Sequence, residues 1–86
     1  MASYKITLKR SAEKELRKID KAQIPKLIAS LSALGEEPRP AQSRKLVGSQ
    51  ITYRLRVGDY RIIYLVFDET KEIEVQRIRH RKEAYT

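Results

Sequence analysis

Apolar and polar residues alternate along residues 51–57. Ile51, Tyr53, Leu55 and Val57 fall on one side, and Thr52, Arg54 and Arg56 on the other. A period of two predicts a strand with one face buried. Gly58-Asp59 follows as a two-residue turn, with glycine supplying a positive φ at little cost. The β-branched and aromatic run 60–67 predicts the returning strand. Residues 69–72 reverse the chain again, and 73–80 closes a second hairpin. With Gly58-Asp59 as the whole loop, Val57 faces Tyr60, Arg56 faces Arg61 and Leu55 faces Ile62. With the second turn symmetric about Thr70-Lys71, Arg61 faces His80 and Ile63 faces Ile78. One sheet face then carries Arg54, Arg56, Arg61 and His80, fenced by Ile63, Leu65 and Ile78.

Upstream, Tyr4, Ile6 and Leu8 alternate with Lys5 and Thr7, which predicts a short strand. Ser11 is a candidate N-cap for a first helix over about 11–19, with Glu13 in its first turn and Ala12, Leu16 and Ile19 as a narrow apolar stripe. Ile24, Leu27, Ile28, Leu31 and Leu34 recur at helical spacing and predict a second helix. Pro25 belongs in its first turn, and Gly35 is a candidate C-terminal stop. The prolines of 36–43 mark a connection, and 44–48 a short strand with Leu46 inward. The expected order is β-α-α-β-β-β. That makes a two-layer α+β domain spanning 1–86, its helical hairpin packed on one face of a mostly antiparallel sheet. The buried face carries Tyr53, Leu55, Val57, Ile62, Tyr64, Val66 and Val75.

Charge narrows the partners. Among 86 residues there are 19 Lys+Arg against 11 Asp+Glu, a net charge of +8. So basic a small domain attracts polyanions. It has no cysteine and one histidine, so a disulfide frame and a thiolate metal site are excluded and a zinc site is disfavoured. No apolar run has the length of a membrane span, and the N-terminus lacks a signal-peptide core; a cytoplasmic protein without cofactor or metal is expected.

Arg56 opposite Arg61 is the informative pair. Like charges in that position repel, so the fold must either bind an anion there or let both heads splay into water. Guanidinium is an always-charged fork that grips phosphate bidentately. The sequence offers no paired carboxylates in a cleft, no Ser/His/Asp set and no glycine-rich loop. Guanidinium groups, one imidazole and tyrosines suit metal-free RNA cleavage by the substrate's own 2′-hydroxyl. There the protein aligns the attack, stabilises charge on phosphorus and moves protons. Arg54, Arg56, Arg61 and Arg81 would stabilise charge, His80 would act as acid or base, and Tyr85 would stack on a base or transfer a proton.

The combination KLVG (45–48), YRLRVGDYRIIY (53–64) and RHRKEAY (79–85), behind two short basic helices, resembles the RelE/ParE superfamily of bacterial toxins. The likeness covers nearly the whole chain. It implies a small α+β toxin encoded beside an acidic antitoxin that wraps it, with operator DNA reached through that complex. In the RelE branch it implies a ribosome-dependent endoribonuclease, an mRNA interferase that cuts translated mRNA in the A site without metal and leaves a 2′,3′-cyclic phosphate. Carried over by motif, the active positions are Arg54 and Arg56, Arg61, Arg81 and Tyr85. Arg56, Arg61, Arg81 and Tyr85 are expected to be catalytic with His80 assisting, and Arg54, Arg44 and Lys45 to hold the RNA backbone. RelE enzymes often have lysine where this chain has Arg54 and Arg56. Arginine does not give up its proton, so a base would be His80, Tyr85 or water. The ParE branch shares the fold and poisons DNA gyrase instead. A basic module that only binds RNA would need the arginines but not His80 or Tyr85. Many relatives also continue into a further helix where this sequence stops at Thr86.

Overall fold

The alternating runs fold as a continuous antiparallel unit of β3 (Thr52–Val57), β4 (Tyr60–Phe67) and β5 (Glu72–His80). Before them come β1 (Lys5–Leu8), α1 (Arg10–Arg17), α2 (Ile24–Glu36) and β2 (Ser43–Lys45). These elements belong to a computed structural model that describes residues 3–80. The sheet order is β1-β5-β4-β3-β2. Only the β1–β5 pair is parallel, because the chain leaves β1 through the two helices and re-enters at the opposite edge. This is the expected α+β arrangement, with both helices on one side of a mostly antiparallel sheet.

The core lies between the helices and the sheet. Ala12, Leu27, Leu31 and Leu34 from the helices meet Leu55, Val57, Ile62, Tyr64, Val66, Ile73, Val75 and Ile78 from the strands. Each fully buried large aliphatic side chain stabilises the fold by about 1.5–3 kcal/mol. Tyr64 is buried with its hydroxyl donating to Pro38 O at 2.8 Å, which satisfies its one polar atom. Ile28, expected in the stripe, is 44% exposed.

Two expected helix boundaries move, for local reasons. Pro25 sits in the first turn of α2 as anticipated. Ser11 is not the cap of α1: Lys9 occupies that position, and Ser11 Oγ donates to Gln76 O at 2.9 Å. Gly35 does not stop α2, which runs on to Glu36. It is buried where a Cβ would come within 3.2 Å of Tyr4 O, and its own carbonyl accepts Tyr4 N–H at 2.8 Å. The glycine allows close approach of β1. β2 also ends at Lys45, leaving Leu46 only half-buried.

The connection 37–42 is tied down by a polar cluster. Arg39 donates from Nη2 to Asp68 Oδ2 at 2.7 Å and from Nε to the Tyr53 hydroxyl at 2.9 Å. Tyr4 donates its hydroxyl to Asp68 Oδ1 at 2.7 Å. The hydrogen bonds from Arg39 and then Tyr4 hold the Asp68 carboxyl below its ordinary range.

Candidate active site

The first hairpin keeps the expected register: Arg56 faces Arg61, Leu55 faces Ile62 and Val57 faces Tyr60. Gly58 takes φ 59°, the left-handed conformation that this tight turn requires. Opposed residues point to the same side of a sheet. Arg54, Arg56 and Arg61 are therefore together on the face away from the helices.

The second hairpin is shifted by two offsets that partly cancel. Its turn is one residue earlier than the symmetric placement: Phe67 faces Glu72, and Lys71 closes the loop at φ 56°. A β-bulge then interrupts the ladder between Ile63 and Tyr64, with Gln76 as the extra residue on β5. The net result is that Arg61 faces Arg79, not His80, and Ile63 faces Arg77, not Ile78. Ile78 faces Ile62 and is buried in the core, so it does not fence the arginine face. His80 faces Tyr60 on the helix side, its ring edge-on to the tyrosine at 5.3 Å. There it borders a small cavity with Glu15, Lys18, Ile19, Tyr60 and Ile78.

The outer face therefore carries two adjacent rows. One runs Arg44, Arg54, Ile63, Arg77 across β2 to β5; the next runs Arg56, Arg61, Arg79 across β3 to β5. With strands about 4.8 Å apart, the second row spans about 10 Å. Arg44, Arg54, Arg56 and Arg61, with Gln42, surround a cavity of about 190 Å³. Arg54 and Arg61 are half-buried and Arg56 is exposed. Arg79 Nε is buried and has no hydrogen-bond partner among the described residues. Lys45 faces Tyr53 and so lies on the other side from Arg44. Arg81 and Tyr85 fall outside the described residues.

Arg79 and Arg77 are the site residues that sequence reasoning missed. The signal was present: inward positions run Ile73, Val75, then Ile78, a step of three where a regular strand steps by two. That step places the bulge and sends Arg77 and Arg79 outward.

Two unit charges 4 Å apart repel by about 1 kcal/mol in bulk water and by more where partly buried. Glu15 Oε2, 4.0 Å from Arg79 Nε, offsets part of this charge, and three guanidinium groups sharing a face are chemically suited to an anion such as phosphate. Among the described residues no group of three or more His, Cys, Asp or Glu side chains could hold a metal ion. No helix among them is long and apolar enough to cross a membrane.

Residues 6–85 match the family of the ParE toxin of the type II toxin-antitoxin system parDE. Among solved structures, the chain is similar to RelE in the archaeal RelE–RelB complex from Pyrococcus horikoshii OT3. That match has a TM-score of 0.82 and 30% identity, covering 92% of this chain and 96% of the other. The intact E. coli RelBE toxin–antitoxin complex matches with a TM-score of 0.75 and 32% identity, over 88% of this chain and 94% of the other. The isolated E. coli RelE toxin gives a TM-score of 0.81 and 29% identity, over 96% and 92%. Pattern, fold and relatives agree: the chain belongs to the RelE/ParE superfamily of toxins of type II toxin–antitoxin systems.

Proposed function

We propose that this toxin is an mRNA interferase of the RelE kind, cutting translated mRNA in the ribosomal A site. The observation that carries this reading is the row Arg56, Arg61, Arg79 on one sheet face, beside the cavity that Arg44 and Arg54 complete. The substrate's 2′-oxygen attacks the adjacent phosphorus and the bond to the 5′-oxygen breaks, leaving a 2′,3′-cyclic phosphate and a 5′-hydroxyl. One proton leaves the 2′-hydroxyl and one reaches the departing 5′-oxygen. Arg61 and Arg79 hold the scissile phosphate and stabilise its added charge, and Arg56 supports them. Arg54 and Arg44 position the neighbouring backbone. Arg81 and Tyr85 keep the roles that their motif implies, phosphate contact and stacking or proton transfer. His80, on the opposite face, is dropped as the acid or base, and the proton steps fall to Tyr85 or water.

An acidic cognate antitoxin is the expected protein partner, and operator DNA would be reached through the complex. The relatives solved as RelE–RelB complexes support a cognate antitoxin. The match to the ParE family favours a second reading, a gyrase poison on the same fold. Primer extension on an mRNA under translation in a purified system separates the two. Ribosome-dependent cuts within A-site codons that persist in EDTA are expected. No cuts, with gyrase-dependent DNA breaks in a parallel supercoiling assay, would assign the protein to the second reading.

A further inference from the structure

β1 ends at Leu8, so among the described residues no strand lies beside the outer edge of β5 beyond Val75. α1 fills that edge with its own groups. Lys9 N–H donates to Val75 O at 2.9 Å, and Ser11 Oγ donates to Gln76 O at 2.9 Å. Ile78 N–H donates to Glu15 Oε1 at 2.8 Å. The same carboxylate accepts Arg77 Nε at 3.3 Å and Arg77 Nη2 at 3.1 Å, and Arg79 Nε lies 4.0 Å from its Oε2. Ala12, fully buried three residues earlier, anchors this face of the helix on the sheet. One carboxylate thus grips the peptide between Arg77 and Arg79 and stands beside both guanidinium groups, directly after the bulge.

We propose that Glu15 is a positioning residue of the anion site: it fixes the bulged end of β5 and aims Arg79 into the row with Arg56 and Arg61. This inference rests on the row being the phosphate site. It makes a prediction opposite in sign to simple electrostatics. Glu15 is a negative charge near a polyanion site, so charge alone would make its removal tighten binding. Positioning requires that its removal weakens binding, because Arg79 is no longer held in place.

The test uses the full chain and a fluorescein-labelled 2′-O-methyl RNA oligomer, which lacks the attacking hydroxyl. Glu15→Gln, close in size to the native residue, is expected to raise the Kd about tenfold. Arg79→Ala should do the same, and the double variant should bind no more weakly than Arg79→Ala alone, since residues acting as one unit do not add. Unchanged or tighter binding by Glu15→Gln overturns the proposal, and so do losses that add in the double variant. A second readout is independent of RNA. In NMR, Glu15→Gln should move the Arg79 Nε–H resonance, and Glu15→Ala should speed Ile78 amide exchange at least tenfold. Both unchanged would overturn the proposal even if the wild type cleaves RNA. Both changed in a protein that binds and cleaves no RNA would uphold the positioning of Arg79 and sink the phosphate reading.

Discussion

Among single residues, arginines crowd the outer sheet face. Arg56 and Arg61 are directly opposed, and Arg79 extends the row on the far side of Arg61. Like-charge pairs of this kind destabilise a sheet by a few tenths of a kcal/mol to about 1 kcal/mol. Removing one arginine should therefore leave the fold intact and cost function. Arg61→Ala and Arg79→Ala are expected to keep their stability within about 1 kcal/mol of wild type, read by urea unfolding. Both should lose toxicity on induction in cells. Tyr64→Phe should do the reverse: it removes the buried hydroxyl from Pro38 O, lowers stability by about 1 kcal/mol and leaves toxicity in place. Arg54, Arg56 and Arg61 were legible in the sequence because a two-residue turn fixes its own register. Arg79 was not, because its partner depends on a longer loop and a bulge, and each moves the pairing.

At the scale of elements, the bulge on β5 decides which side chains share a face. Ile73, Val75 and Ile78 are all buried, and only an extra residue between Val75 and Ile78 permits that. Burial of the isoleucine, worth about 1.5–3 kcal/mol, thus overrides regular alternation. Deleting Gln76 restores a step of two without changing any β4–β5 partner. The deletion variant should fold, with its melting temperature lowered by several degrees through the lost Ser11 contact and the disturbed α1 edge. Failure to fold would mean that the bulge itself, rather than the apolar pattern, specifies the strand. Helix limits were read less well than helix existence. Ser11 and Gly35 look like a cap and a stop in the sequence, but each is used for a contact some distance along the chain, to Gln76 and to Tyr4. Periodicity carries no information about such contacts.

For the whole molecule, the net charge is +8, and charge is unevenly distributed along the outer face. The two arginine rows occupy one end, while Glu72 and Glu74 face Lys5 and Thr7 at the other. If the row contacts three phosphates, log K for a single-stranded RNA should fall with log salt at a slope of about −2, and Arg79→Ala should reduce that slope by about 0.7. Fluorescence anisotropy over a potassium chloride series measures both. The Arg39–Asp68–Tyr4 cluster gives the fold a defined acid response. Asp68 ionises more readily folded than unfolded, so its contribution is complete above the ordinary aspartate range and is lost as pH falls through its lowered value. The melting-temperature gap between wild type and Asp68→Asn should accordingly close on acidification from pH 6, as followed by circular dichroism. Fold class and superfamily were legible from pattern and motif because β3 and β4 alternate cleanly on the core face and the motif 53–64 spans both strands and their turn. The branch was not, since both branches share that face and differ in the target they act on.

We propose that the Arg56–Arg61–Arg79 row stabilises the transition state of RNA cleavage. Its most direct test is single-turnover cleavage of mRNA on programmed ribosomes at saturating toxin, wild type against Arg79→Ala. Removal of one such contact should slow the chemical step about a hundredfold or more, with the protein still folded and still bound to the ribosome. A cleavage rate within about threefold of wild type would contradict the assignment of this row.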